Sequence, residues 1–318
     1  MTLYEWNEMV QIMIDWIEQN LGENSVLLQM SAQIGYSPYY CSSQFHKICG
    51  MTMKSYIAGR RLAKAALALR DTNARILDIA IEHGFSSQEA LTRAFTATFG
   101  CTPASYRKNP IPIPLSLYKT IYFPNHYHEL HKGEVGMSKF DLREATIRIE
   151  YIPAHKYIGV WDEIARNYCE FWEKHPCDEI CGIIESMRNE AHPIVSCHTA
   201  GWQQKEGKRC YFYGFGVSED YSGAIPNGFE MREIPASYYM VFGHPPFDYL
   251  KDNNEVMKRV EELAWNYDLE HKGITDKNLD YYDNRKLYEW NEIDCPCYQR
   301  HYPEVLGYEI LRPIKQKN

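Results

Sequence analysis

The stretch GFSSQEALTRAFTATFG, residues 84–100, sets hydrogen-bonding side chains at helical spacing. Gln88, Glu89, Thr92, Arg93 and Thr96 fall on one side of a helix, and Leu91, Phe95 and Thr98 on the other. The polar side carries groups that read base edges: Arg93 can donate to guanine, Gln88 can pair with adenine, and Glu89 can accept from cytosine. A second stretch, GYSPYYCSSQFHKICG, residues 35–50, presents Tyr39, Ser42, Ser43 and His46 opposite Cys41, Phe45 and Ile48, and Tyr39 can press on a thymine methyl. Lys47, Lys54, Arg60, Arg61, Arg107 and Lys108 are the expected phosphate contacts, joined by helix N-terminal amides. A plainer reading competes: Glu89 and Arg93 are spaced i, i+4 and can pair on a solvated face, and any single cation can be surface charge.

The elements that must position these residues are repeated. Residues 30–57 and 79–107 are two copies of helix, glycine turn, helix. Gly35-Tyr36-Ser37 matches Gly84-Phe85-Ser86, and Phe45, Gly50, Thr52, Ser55 and Tyr56 recur fifty residues later. Glycine permits the positive φ of the turn. Ser37 is the expected N-cap of the first helix with Pro38 at its first position, and Ser86 with Glu89 forms an S-x-x-E capping box for the second. A helix from near Thr52 to Arg70 joins the copies, and Trp6, Met9, Val10, Met13, Ile14, Ile17 and Leu21 draw an apolar docking stripe before them.

Charge divides the chain. Residues 25–108 hold ten Lys/Arg against four Asp/Glu, whereas residues 111–318 hold 24 against 33. With 45% hydrophobic and 24% charged residues, the composition is that of globular material, and no segment has the apolar length of a membrane span. A cytoplasmic location is expected, with the ten cysteines reduced. Cys295-Pro-Cys297 and Cys177-x-x-x-Cys181 miss zinc-ribbon spacing, so neither a metal nor another cofactor is expected.

NPIPIPLSL, residues 109–117, has prolines at alternate positions and reads as the start of an extended linker to about residue 144, in which His126, His128 and His131 are surface residues. Beyond it, alternation replaces the helical period. Ile152-Pro153-Ala154 with Tyr157 recurs 82 residues later as Ile234-Pro235-Ala236 with Tyr239, each read as a turn between paired strands. Helical sequence follows each, over Tyr168–Glu190 and Asn254–Asp268, and then two strand-like runs. Two β-β-α-β-β-like units related by a pseudo-twofold axis would leave a central cleft. The 25 tyrosines and seven tryptophans suit an aromatic lining, and Glu289, between Tyr288 and Trp290, is either an exposed strand residue or a buried acid awaiting a cation.

GYSPYYCSSQFHKICGMTMKSYI followed by ILDIAIEHGFSSQEALTRAFTATFGCTPASYR resembles the AraC/XylS class of bacterial transcription regulators over about residues 5–108. The resemblance implies two helix-turn-helix units that place recognition helices in successive major grooves of double-stranded DNA. Several relatives carry arginine where Ser43 stands. IPAHKYIGV, YFYGFGV, IPASYYMVF, LYEW and EILRPIK resemble the matching segments of gyrase-inhibitor-like effector-binding domains over residues 145–315. That likeness implies an aromatic pocket for lipophilic cations, with Glu289 as its acid by position. Trp161 and Tyr239 follow from strand phase, with Tyr213, Phe215 and Tyr308 as further ring candidates. GHPPFDY replaces the glycines usual at the pocket rim.

The expected whole is a multidomain protein: an all-α double helix-turn-helix domain over 1–108, a linker over 109–144, and an α+β effector domain of two pseudo-symmetric repeats over 145–315. This order resembles the right-origin-binding-protein arrangement within the class. The expected function is transcriptional regulation, as an activator contacting RNA polymerase, under control of a small cationic or lipophilic ligand and without catalysis. Two alternatives remain open at this stage: a small-molecule hydrolase using Glu289 as general base, and a ligand-independent module that contacts polymerase.

Overall fold

A computed structural model of the 318-residue chain describes residues 3–23, 26–119, 121, 145–205, 207–269, 288–302 and 307–317. The chain forms two units, one of residues 1–134 with 175–186 and the other of residues 135–174 with 187–318. The side chain of Trp6 and the histidines at 126, 128 and 131 lie outside the described residues.

In the first unit, among the described residues up to 108, seven helices follow one another: α1 Leu3–Gln19, α2 Val26–Ile34, α3 Pro38–Cys49, α4 Met53–Asp71, α5 Ile76–Glu82, α6 Gln88–Phe99 and α7 Pro103–Lys108. They bury two cores. Val10, Met13, Ile14 and Ile17 of α1 close on Cys41, Phe45 and Ile48 of α3 and on Tyr56. Leu62, Ala66 and Leu69 of α4 close on Leu91, Phe95 and Tyr106. The two cores share α4, rich in strong helix formers, and the aromatic pair at the centre of each is repeated. Phe45–Tyr56 and Phe95–Tyr106 both have ring centroids 5.6 Å apart.

Residues 109–119 have the extended backbone expected of alternating prolines, but they are a packed strap rather than a free linker. Extended chain puts alternate residues on one side, and here Ile113 and Leu115 turn into the second core and Ile121 joins the first, while Ile111 stays exposed. One further helix, α9 Cys177–Ser186, also belongs to this unit although its sequence lies in the second half.

Among the described residues, the second unit is a nine-stranded antiparallel sheet with two α-helices. Its strands are β1 Thr146–Ile152, β2 His155–Asp162, β3 Thr199–Lys205, β4 Lys208–Ser218, β5 Glu230–Ile234, β6 Ser237–His244, β7 Tyr288–Trp290, β8 Cys297–Tyr302 and β9 Gly307–Gln316. The order is β1-β6-β9-β8-β3-β4-β2-β5, with β7 added to β9. Helices α8 Tyr168–Trp172 and α10 Tyr249–Trp265 complete it. Pro176, which cannot continue a preceding helix, separates α8 from α9, so the single helix expected over 168–190 is divided.

The Ile-Pro-Ala segments are corners and not hairpin turns, which corrects the sequence expectation. β1 pairs with β6, and β2 pairs with β4 and β5, so the strands on either side of Pro153 go to different neighbours. Proline supplies no N–H for a tight two-stranded ladder.

Candidate nucleic-acid interface and effector cleft

Each recognition helix is fastened at both ends by local chemistry. Ser37 Oγ accepts from the Tyr40 N–H (3.2 Å), Pro38 opens α3, and Gly50 closes it at φ 70°. In the second copy the cap is Ser87 rather than Ser86: its backbone is extended, its Oγ accepts from the Ala90 N–H (3.2 Å), and α6 begins at Gln88. With Ser87 as cap, the fifty-residue offset of the rest of the repeat extends to the cap as well. Gly84 in the turn before it has φ 78°, and an added Cβ would stand 2.7 Å from the Arg61 guanidinium carbon.

Capping leaves one face of each helix free. Tyr39, Ser43, His46 and Lys47 are exposed on α3, with Ser42 half-buried. On α6, Gln88, Glu89, Arg93 and Thr96 are exposed, and half-buried Thr92 donates its hydroxyl to Gln88 O (2.8 Å). The inward face is as expected except for Thr98, which is exposed. The apolar stripe ends at Phe99 instead, edge-on to Phe95 at 4.7 Å. A hydrogen bond from Ser87, the helix-start N–H of Glu89 itself and the charge of Arg93 hold the Glu89 carboxyl below the usual glutamate range.

Three of the expected phosphate contacts are spent inside the protein. Arg60 is buried, forks onto Glu18 at 2.7 and 2.8 Å, and reaches Ser116 O. Arg61 donates to Leu21 O, Gly84 O and Glu23 O. Arg107 donates to Ala74 O at 2.7 Å and Leu69 O at 3.4 Å, tying the start of the second hairpin to α7. Lys47, Lys54 and Lys108 remain exposed.

In the sheet unit the six ring and acid candidates separate. Trp161 and Tyr239 belong to one face, in a core with Tyr157, Phe212 and Tyr298, where Tyr239 is fully buried and the Trp161 ring is covered by the Arg232 guanidinium at 4.0 Å. Tyr213, Phe215 and Tyr308 are buried on the opposite face. Glu289 pairs with Lys315, two residues beyond Pro313, the partner of Tyr239, so its register puts it on the side of Tyr239 but past the end of that core. Its side chain is 48% exposed on β7, with Lys315 of the neighbouring strand at 3.7 Å. Strand β7 is only three residues long and pairs at the sheet margin, which leaves Glu289 in water.

The acid that does lie among rings is Glu261 of α10. It accepts from Tyr308 OH (2.8 Å), which accepts in turn from Gln299 Nε2 (2.9 Å), and Tyr211 OH donates to Gln299 Oε1. Beside Tyr308 stand His301 (5.6 Å between centroids) and then Tyr249 and Tyr168, with Trp172 and Tyr213 packed at 4.7 Å. Burial pushes the Glu261 carboxyl up, against the opposing hydrogen bond of Tyr308. Among the described residues no cation pairs with it. Glu292 differs: burial raises it, but Arg312 (2.6 Å) and Arg209 (3.1 Å) more than reverse that and hold it below the usual range. Trp172 Nε1 has no hydrogen-bond partner and adds a buried donor to the ring cluster.

Sequence reading missed Glu261, although a trace was present: it interrupts the apolar side of α10, near buried Val260 and Ala264. Tyr168, Trp172, Tyr249 and His301 carried no separate signal. Among the described residues no group of His, Cys, Asp or Glu could hold a metal, and no helix is long and apolar enough to cross a membrane.

Two capped hairpins joined by one helix, with their polar sides free, define a double helix-turn-helix DNA-binding protein. The family described as a helix-turn-helix domain matches residues 30–109. The transposon Tn10 TetD protein of Escherichia coli is 43% identical over 96 residues, which are 30% of this chain and 70% of that protein. The regulatory protein SoxS of Salmonella typhimurium is 34% identical over 31% of this chain and 94% of its own length. The right origin-binding protein of Escherichia coli K12 is 40% identical over 32% of this chain, but only 35% of that protein is spanned. The chain belongs to the AraC/XylS family of DNA-binding transcriptional regulators.

Proposed function

We propose that this regulator reads DNA with Tyr39, Ser42, Ser43 and His46 of α3 and with Gln88, Glu89, Thr92 and Arg93 of α6, and that a small lipophilic cation bound by the sheet unit controls it. Lys47, Lys54 and Lys108 supply phosphate contacts. The observation that carries the ligand reading is Glu261, a half-buried carboxylate beside aromatic rings and without a countercharge among the described residues. A lipophilic cation supplies that charge and stacks on the rings. The ligand candidates are therefore Glu261, Tyr308, Tyr213 and Trp172 before Glu289, Trp161, Tyr239 or Phe215.

The strand order supports the two-repeat reading of this unit. Exchanging β1, β2, β3 and β4 for β5, β6, β8 and β9, and reversing the list, returns the same order. Activation through RNA polymerase is the regulatory mode we assign, with the ligand acting through different affinity for two states of the protein. The unit is a sensor in this reading and not a hydrolase, because Glu289, the general base required, stands in water beside Lys315.

The test uses the full chain. Tetraphenylphosphonium is titrated against tryptophan fluorescence, with neutral triphenylphosphine oxide as control. Saturable quenching by the cation alone is expected, weakened about tenfold by Glu261→Gln. Quenching unchanged by that substitution removes the assignment. Selection of DNA sites from a random pool, with and without the cation, then reads control.

A further inference from the structure

Helix α9 comes from the second half of the sequence yet packs in the DNA-binding unit, and its fastenings are unusually close. An added Cβ at Gly182 would stand 2.1 Å from Leu115 O and 2.8 Å from Leu115 N, so the helix backbone lies directly on the proline strap. Cys177, Ile180, Cys181 and Ile184 of the helix are buried. The strap is fixed in turn to α4, where Gly59 leaves room for Ser116 and Arg60 holds Ser116 O.

The two ends of α9 are anchored at different places, one at the first recognition helix and the other at the far end of α4. At its start, Asp178 meets Lys119 at 3.0 Å, and the same ammonium donates to Cys49 O (3.3 Å), the last carbonyl of the first recognition helix. At its end, Arg70 in the last turn of α4 donates to Ser186 O (2.8 Å) and Glu185 O (3.5 Å), satisfying carbonyls left open by the helix terminus. Ser186 Oγ also accepts from the Ile113 N–H (3.1 Å). Arg70 adjoins Leu69, whose carbonyl is held by Arg107 of α7, the helix that follows the second hairpin. Ten residues of helix reach about 15 Å, enough to run from one hairpin to the root of the other.

We infer that α9 is a brace which fixes the separation of the two recognition helices, and therefore the base-pair spacing the protein accepts between its two half-sites. Apart from the strap and α9, the hairpins are joined by helix α4, by Arg61 bridging Leu21 O and Glu23 O to Gly84 O, and by the approach of Gly22 to Glu82 O. A single helix still bends along its length. A second, parallel connection of strap and α9 removes that freedom. Gly182 and Arg70 are positioning residues in this scheme, and neither touches DNA.

The experiment compares spacing and not overall affinity. The wild-type full chain is used to select a duplex from a random pool. Dissociation constants are then measured by anisotropy for that duplex, for versions with one base pair inserted or removed between the half-sites, and for a duplex retaining only the second half-site. The wild type is expected to lose about thirtyfold on an altered spacing, the scale of a mismatched contact. Gly182→Ala and Arg70→Met are each expected to cut that penalty to about fivefold and leave the single half-site within about twofold of wild type. Circular dichroism and melting establish that each variant is folded, and Arg70→Met decides if Gly182→Ala is not. A folded variant that keeps the full wild-type penalty overturns the brace, as does a wild type indifferent to spacing.

Discussion

The two units use their aromatic residues in different ways. The helical unit repeats one pair, Phe45–Tyr56 and Phe95–Tyr106, at the same separation, and everything else on each recognition helix is arranged around it. The sheet unit spreads rings over both of its faces, with Tyr157, Tyr239 and Tyr298 on one and Tyr213 and Tyr308 on the other. In the first case burial of one side determines which side is free. In the second both sides are buried, and an aromatic residue says little about whether it is core or binding surface.

The equivalence of the two helical cores is the part of this contrast that a mutation can break most forcefully. Phe45→Ala and Phe95→Ala each empty a fully buried ring site and are expected to cost about 3–5 kcal/mol. The two losses should agree within about 1 kcal/mol if the repeats are energetic as well as geometric copies. Hydrogen exchange at the amides of α3 and α6 in the full chain reads each repeat separately. A twofold difference between them would show that shared geometry does not mean shared stability.

Acid is expected to act on the sheet unit next. Burial, assisted by the neighbouring His192 and opposed by the Pro153 carbonyl, lowers His155 to about 4, and burial alone lowers His301 to about 4. An unfolded histidine titrates near 6.5. Between those values the unfolded chain binds more protons than the folded one, so the contribution is complete above pH 6.5 and is lost as pH falls toward 4. Up to about 3 kcal/mol per histidine is at stake. In the helical unit His83 is shifted in the same direction by partial burial. Exchange protection of β2 and β8 should therefore fall from pH 7 to pH 4.5, and equal protection at both values would refute the buried-neutral assignment.

The two recognition helices provide a finer contrast. Arg93→Ala is expected to cost about 1–3 kcal/mol of specific binding and relax preference at one base position, the size of a bidentate guanine contact. Ser43→Ala, on the corresponding free face of α3, is expected to change affinity by less than about 0.5 kcal/mol, because a serine hydroxyl reads either base class. Comparable losses from both would mean that α3 and α6 read DNA with similar strength.

How much of this was legible in sequence follows from the same physics. The caps, glycine turns and inward stripes of α3 and α6 are local, so Ser37, Pro38, Phe45 and Phe95 could be placed without a structure. The errors there are also local, as with Ser86 for Ser87. The partners of Arg60, Arg61 and Arg107 inside the protein were hidden because they are carbonyls and an acid 23 to 56 residues away in sequence. Strand pairing failed for the same reason. Ile-Pro-Ala marks a change of direction in the chain, but nothing local states that β1 will pair with β6. Glu261 was hidden because a glutamate in a charged amphipathic helix normally faces water, and only the tertiary position of Tyr308 makes it a half-buried acid.

The smallest expected effect bears directly on that last distinction. Glu289→Gln should leave the melting temperature and tetraphenylphosphonium binding almost unchanged, because the side chain is 48% exposed and its neighbour Lys315 is equally exposed at 3.7 Å. A surface pair of this kind is worth about 0–1 kcal/mol, and salt screens it further. Glu261→Gln removes a charge that aromatic rings partly shield from water, where the same change in formal charge acts through a lower effective dielectric. Cation binding in the wild type should also weaken as pH falls through the raised Glu261 range, above that of an ordinary glutamate, since the protonated acid has no charge to offer. If Glu289→Gln abolishes binding and Glu261→Gln does not, the ligand sits at the margin of the sheet near β7, and the ring cluster around Tyr308 is core.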